Sequence, residues 1–234
     1  MNYTDTLGAY FSQGILTSHS KCSTILDINR KKESLYYIKS GYMRIYSLNR
    51  RNEQYSHIFY GPNELFPVSW LTDQEQTNAV YEALTDCEIY AINIAQLNAD
   101  TAKDPVLAQA LLKQVAEQYR IYTQRVDNLE YKYASERLAY RLILLANRFG
   151  ERHGHEITIL PPMTHQLIGS SLNLSRESVS REMEKLVRLN LVRYNSKRQI
   201  TICDIVELAN KMHVPYTQGL PSANGKPTPL INEL

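Results

Sequence analysis

The chain has no apolar run near the ~18–20 residues that a membrane-spanning helix requires. Its richest short run, Leu142 to Ala146, sits inside an amphipathic pattern. The first residues, Met1-Asn2-Tyr3-Thr4-Asp5, lack a basic cluster followed by an apolar stretch, so no secretory leader is expected. Cysteine is scarce: Cys22, Cys87 and Cys203 stand far apart, with no Cys-x-x-Cys pair. That excludes a disulfide scaffold and the local spacing of zinc or iron–sulfur ligands, and it points to a reducing, cytoplasmic compartment. There is no P-loop and no Gly-x-Ser-x-Gly elbow. Histidines are few. His57 alone falls in the strand-rich region, with His19 outside it, and the one His-x-His, His153 and His155, has no third ligand nearby in sequence. A cupin-type metal-dependent enzyme therefore has little to build on, no metal site is assigned and an enzyme is not expected. Net charge is only +2 over 234 residues, so the chain as a whole does not announce a polyanionic partner.

What is present is ordinary for a globular chain, 43% hydrophobic and 21% charged, which argues against wholesale disorder. From Thr24 to Ile92 short runs rich in Ile and Tyr suit half-buried strands: Thr24 to Ile28, Leu35 to Ile38, Tyr42 to Tyr46, Tyr55 to Tyr60, Ala79 to Leu84 and Cys87 to Ile92. Turn residues punctuate them, and residues 1–104 read as a small β-barrel or sandwich. The period then changes. Asp104 can cap a helix that Pro105 opens, and Ala108, Leu112, Val115, Tyr119, Tyr122, Val126, Leu129 and Tyr133 recur at alternating spacings of four and three. This heptad seam over residues 105–133 predicts pairing with a second copy of the same helix, a homodimer. Ser135 is placed to cap the next helix, whose face is Leu138, Leu142, Leu145, Ala146 and Phe149 and whose end is Gly150. The runs Val192 to Tyr194 and Gln199 to Ile202 predict a hairpin, and Ile205 to Met212 a closing helix, completing a domain at 134–214. The tail, 215–234, is rich in Pro, Gly and Ser and is expected to be disordered. The 17 tyrosines fit either an aromatic pocket or plain packing of strands and seam.

The stretch Thr164 to Leu186 reads as a helix-turn-helix. Leu167, Ile168 and Leu172 would be buried by the first helix, Gly169 allows a close approach, Asn173 tolerates a left-handed turn and Leu174 fills the space between helices. Ser175 would cap the second helix, which buries Val179, Met183 and Leu186. Its other face carries Arg176, Glu177, Ser180 and Arg181, the candidates for base contact in the major groove of double-stranded DNA. Thr164, Gln166, Ser175, Ser178 and Lys185 are candidates for phosphate contact, as are Lys197 and Arg198 in the hairpin turn, which would act as a wing. Charge agrees. Residues 163–202 hold seven basic against three acidic side chains, net +4, which leaves −2 for the remainder.

Ser175-Arg176-Glu177-Ser178-Val179-Ser180-Arg181 resembles the recognition helix of the cyclic-AMP receptor protein / fumarate–nitrate regulator (CRP/FNR) family of bacterial transcription factors. Glu136-Arg137-Leu138-Ala139 resembles the start of that family's DNA-binding domain, and Ala83 to Glu88 a late strand of its sensor domain. The resemblance spans roughly residues 20–205. It implies an α+β chain with an N-terminal jelly-roll β-barrel like a cyclic-nucleotide-binding domain, a long dimerisation helix and a C-terminal winged helix-turn-helix. It implies base contacts by Arg176, Glu177 and Arg181 on a palindromic operator with half-sites similar to TGTGA. RNA polymerase and a small-molecule effector are left open as partners, with no membrane role and no assigned effector pocket. No cofactor is evident. The family's cyclic-nucleotide binders carry a Gly-Glu stretch and then an Arg-Ser or Arg-Thr pair that clamps the phosphate. Here Pro62 and Asn63 separate Gly61 from Glu64, and Asp73 to Ala79 holds no arginine but Asp73 and Glu75, which argues against a cyclic nucleotide. The iron–sulfur members' N-terminal cysteine cluster is absent, and a haem would have only His57 or Cys87 as axial ligand. A ligand-independent regulator, whose barrel is only a platform for dimerisation, is the alternative.

Overall fold

The computed structural model describes residues 2–27, 33–71 and 79–216. Two expectations lie outside these residues: the arginine-free segment at 73–78 and most of the tail, from 217 onward. The chain divides into two compact units, Met1–Thr123 and Gln124–Leu234.

The first unit opens with α1 (Tyr3–Phe11), followed by β1 (Ile15–His19), β2 (Thr24–Leu26), β3 (Ser34–Ser40), β4 (Met43–Leu48), β5 (Gln54–Tyr60) and β6 (Leu65–Phe66). A 3-10 turn at Val68–Leu71 precedes β7 (Ala79–Ala83), β8 (Cys87–Asn93), α2 (Ile94–Thr101) and α3 (Pro105–Glu130). Pairing is antiparallel and nested: β1 with β8, β2 with β7, β3 with β6 and β4 with β5. That nesting is the jelly roll. The expected barrel is more open than the sequence implied, because the strands form two separate four-stranded sheets, β1-β8-β3-β6 and β2-β7-β4-β5.

A core of Ile38, Met43, Ile45, Ile58, Tyr60, Phe66, Tyr81 and Ile89 lies between the sheets. Phe66 stacks on both Tyr36 and Tyr81 with ring centroids 5.4 Å apart. These tyrosines pack strands. The first sheet is covered on its other face too, where Leu7, Phe11, Leu35, Tyr37, Leu97 and Leu107 form a second cluster. This explains why Leu35, Tyr36, Tyr37 and Ile38 of β3 are all buried without alternation.

Arg44 is buried on the second sheet, with an ion-pair network around it. Its guanidinium donates to Glu82 at 2.6 Å, Ser56 at 3.0 Å and Gln54 at 2.6 Å, and it lies 4.4 Å from the Tyr46 ring centroid. Arg44 and Glu82 are direct cross-strand partners, so the network pins the register of β4 on β7. Among the haem-ligand candidates, His57 Nε2 is 2.8 Å from Ser47 Oγ. Burial pushes the Cys87 thiol up, away from the thiolate a metal would need.

In the second unit α3 ends at Glu130, so Tyr133 falls outside the helix and off the seam, and it becomes the N-cap of α4 (Ala134–Phe149). The cap expected at Ser135 is thus two residues earlier; the Tyr133 N–H donates to Glu136 Oε2 at 3.3 Å. Gly150 ends α4 as expected. The segment holding His153 and His155, read as a loop, instead forms a hairpin, β9 (Gly150–His153) and β10 (Glu156–Ile159). Next along the chain come α5 (His165–Leu172), α6 (Arg176–Arg188), β11 (Val192–Tyr194), β12 (Ile200–Ile202) and α7 (Ile205–Lys211). The four strands form one sheet, β11-β12-β10-β9. Buried Leu138, Leu142, Leu145 and Phe149 make α4 the central helix, packed against α5, α6, α7 and the β9–β10 hairpin.

Removing one partner of a buried, hydrogen-bonded ion pair strands the other, so Arg44→Ala should destabilise the first unit by about 3 kcal/mol or more. Chemical denaturation followed by circular dichroism measures this. A loss below about 1 kcal/mol, the range of an exposed pair, would show that the network does not hold the sheet.

Candidate nucleic-acid interface

The helix-turn-helix is built as its residue types dictate. Thr164 caps α5, its Oγ1 accepting from the Leu167 N–H at 3.1 Å. Ile168 and Leu172 are fully buried, while Leu167 and Leu174 are only half-buried, less than expected. Asn173 adopts the left-handed conformation, φ 54° and ψ 42°, which asparagine tolerates and which turns the chain. The Leu174 N–H donates to the Gly169 carbonyl at 3.0 Å. A Cβ at Gly169 would stand 2.6 Å from the Leu174 carbonyl oxygen, so only glycine admits this close return. Ser175 Oγ then accepts from the Ser178 N–H at 3.1 Å and starts α6.

Helical periodicity separates the two faces of α6. Val179, Met183 and Leu186 are buried, whereas Arg176, Glu177, Arg181 and Lys185 are exposed and Ser178 and Ser180 half-buried. Arg181 Nη2 reaches Ser178 Oγ at 3.4 Å, which lies 3.1 Å from Ser175 Oγ. The Glu177 carboxyl is held below its usual range by its own backbone N–H, then by the Ser175 side chain and the Arg176 and Arg181 charges. It is therefore a carboxylate acceptor beside two cationic donors, the set that reads C·G and G·C pairs. Lys185 sits apart from that group. Its Nζ is 2.7 Å from Glu182 Oε1, and it borders a cleft of about 280 Å³ shared with Glu136 of α4 and Met212 and His213 after α7.

The wing turn is tied by Asn195, whose Oδ1 accepts from the N–H groups of Lys197 and Gln199 at 3.0 and 2.9 Å. Arg198 takes φ 58°, and both Lys197 and Arg198 are exposed, as is Gln166. Sequence reasoning missed two side-chain pairs here. His165 Nε2 is 2.8 Å from the Tyr194 hydroxyl, joining α5 to the wing strand, and Arg193 pairs with Glu156 at 2.5 Å, joining the two hairpins. The two pairs join residues 29 and 37 positions apart, so no local spacing announces them. Among the described residues, no group of three or more His, Cys, Asp or Glu is placed to hold a metal, and no helix is long and apolar enough to cross a membrane.

An exposed Arg-Glu-Arg helix set on a buried helix-turn-helix, with a β-wing beside it and a jelly roll before it, defines a DNA-binding transcription regulator. The comparisons agree. Residues 136–211 match the Crp-like helix-turn-helix domain and residues 17–102 the cyclic nucleotide-binding domain. The chain is 27% identical over 176 residues to the transcriptional activator protein Anr of Pseudomonas protegens, covering 75% of this chain and 71% of Anr. It is 23% identical over 193 residues to the cAMP-activated global transcriptional regulator CRP of Salmonella typhimurium, covering 82% and 91%. The FixK2 structure from Bradyrhizobium japonicum superposes with a TM-score of 0.73 at 23% identity over 84% of this chain and 96% of that one, a likeness of fold. The chain belongs to the CRP/FNR family of transcription regulators.

Loss of the α6 cap leaves the Ser178 N–H without its acceptor, so Ser175→Ala should lower the stability of the second unit by about 1 kcal/mol. Thermal unfolding checks this. No shift in midpoint would show that the cap is redundant with solvent.

Proposed function

We propose that the chain acts in the cytoplasm as a homodimer whose two α6 helices read the half-sites of a palindromic operator. The observation that carries this reading is the exposed Arg176–Glu177–Arg181 surface on a helix whose opposite face is fully buried. In this reading Arg176 and Arg181 donate to guanine O6 and N7, Glu177 accepts from cytosine N4, and Ser180 completes the face. Thr164, Gln166, Ser175, Ser178, Lys185, Lys197 and Arg198 hold the flanking phosphates, which set register but carry no sequence. The half-sites, similar to TGTGA, stand about one DNA turn apart, on the order of 34 Å.

The dimer is supported by α3. Its 26 residues span about 39 Å. One face buries Leu107, Ala110 and Ile121, while Leu112 and Tyr119 stay 69% and 71% exposed, with Tyr122 and Val126 also open to solvent. Ala108, Val115 and Leu129 are half-buried along the same seam. A stripe of large apolar side chains at heptad spacing favours an identical helix opposite. The functional divisions are then a sensor-like jelly roll at 1–104, the pairing helix from 105 to about 133 and the DNA-binding part at 134–214. Any signal acts by favouring the spacing of the two α6 helices that fits the operator, and it shifts that equilibrium only by its differential affinity for the two states.

We read the jelly roll as one that does not take a cyclic nucleotide. Glu64 is buried and accepts from the Gly61 N–H at 2.8 Å, engaged within its own loop, and the clamp segment carries no arginine. A regulator without an effector is the second reading, favoured by the Tyr36, Tyr60, Phe66 and Tyr81 rings that fill the space between the sheets.

Selection of bound duplexes from random DNA should return an inverted repeat. Arg181→Ala should weaken binding to it by about tenfold and relax one base position; an equal loss on every sequence would assign Arg181 to phosphate alone. Tyr122→Glu should place like charges across the seam and halve the mass measured by light scattering, and an unchanged mass would reject α3 as the interface.

A further inference from the structure

We propose that His165 and Tyr194 form an additional DNA contact, in which the protonated His165 imidazole grips a backbone phosphate and Tyr194 holds the ring in place. This rests on the reading that the α6 surface binds duplex DNA. Three elements meet at the pair. His165 is the first residue of α5, directly after the exposed Thr164 cap; Tyr194 ends the wing strand β11; and Arg176 opens α6 close enough for its charge to act on the ring. The phosphate candidates of the wing, Lys197 and Arg198, lie three and four residues beyond Tyr194. The pair therefore ties the start of α5 to the strand that leads into the turn expected to grip the flanking backbone.

The chemistry of the ring is set by its bond. Nε2 is engaged with the Tyr194 hydroxyl at 2.8 Å, which leaves Nδ1 as the second polar atom of the imidazole. Tyr194 is exposed and His165 half-buried, so the pair lies at the surface of the domain. A neutral ring offers one hydrogen bond to a phosphate, whereas an imidazolium offers a charge-assisted one. The groups acting on the ring are Arg176 and Glu184 from α6 and Tyr194 from β11. Burial first, and then the Arg176 charge, hold the imidazole below its ordinary range, and Glu184 opposes them. In the free protein the ring is therefore mostly neutral at neutral pH. A phosphate beside it reverses the balance, so the ring binds its proton more tightly on DNA than off it. Affinity is therefore greatest below the pKa of the free protein, falls as pH rises from that value to the DNA-bound pKa, and has lost this contribution above it. The other hydrophilic links of the wing, Arg193 with Glu156 and the Asn195 turn, hold no group that titrates near neutrality.

The test is fluorescence anisotropy with the full chain at constant ionic strength, from about pH 6 to about pH 8. One duplex carries two TGTGA half-sites and a second, of equal length, carries unrelated sequence. Wild-type affinity should fall with rising pH on both duplexes, since a phosphate contact ignores sequence, with a slope of at most about tenfold per pH unit for each His165 engaged, and so about a hundredfold for a dimer with both rings on phosphate. His165→Gln should flatten that slope, and His155→Gln, in the other hairpin, should leave it intact. Tyr194→Phe should weaken binding across the whole range by freeing the ring. A His165→Gln protein that keeps the wild-type slope, or a wild-type protein that binds with no slope, overturns the proposal. The His165 ring proton signal gives a second measure without substitution: its titration midpoint should rise when duplex is added, and an unmoved midpoint overturns the contact. A wild-type chain that binds neither duplex at any pH would overturn the DNA-binding reading of α6 itself, a different result from binding without a slope.

Discussion

The return of the chain between α5 and α6 governs everything the DNA-binding half can do. Three residues make it: Asn173 in a left-handed conformation, Leu174 bonded back to the Gly169 carbonyl, and Ser175 capping the next helix. The turn sets the rotation of α6 about its own axis. With that rotation fixed, Val179, Met183 and Leu186 go into the core, and Arg176, Glu177 and Arg181 are left outside. The hydrogen-bonded turn and the burial of the apolar side thus aim the polar face together. The hydrogen bonds that do exist on that face are local, among Ser175, Ser178 and Arg181, and they organise the side chains that water would otherwise keep mobile.

The jelly roll solves a different problem. Nested antiparallel pairing joins strands that are far apart in sequence, so register has to be specified by more than turns. Two devices supply it. Alternation of apolar residues places Met43 and Ile45 inward, and the buried guanidinium of Arg44 between them faces the other way into Glu82, Gln54 and Ser56. A slip of one residue would bury the charge in the aromatic core and expose the apolar pair, and both changes are costly. The aromatic rings, stacked at 5.4 Å, add geometry-dependent attraction to plain area burial.

Helix α3 carries two unlike surfaces, one buried and one exposed. Leu107, Ala110 and Ile121 are spent on the first unit, and Gln118 donates to the Leu65 carbonyl at 2.7 Å. The heptad stripe through Leu112, Tyr119 and Val126 is left over.

Much of this was written in the chain by itself. The helix-turn-helix from Thr164 to Leu186 was legible in detail, because its caps, its left-handed Asn173 and its burial pattern all act within a few residues of one another. The helix expected from Pro105 was legible for the same reason up to Glu130. The expected helix end at Tyr133 is three residues too late, because a helix end depends on the residues just beyond it, here the Glu136 carboxylate turning back on the Tyr133 N–H. The β9–β10 hairpin was missed: β9 pairs only with β10, across the turn at Gly154 and His155, and β10 in turn pairs with β12, which lies about forty residues on. Only the tertiary structure decided which side chains meet across such distances: Arg44 with Glu82, Arg193 with Glu156, His165 with Tyr194. Local propensity and periodicity are properties of neighbouring residues and can be read in order along the chain. Contact between remote residues is settled by the packing of whole elements, for which a lone sequence carries no local signal.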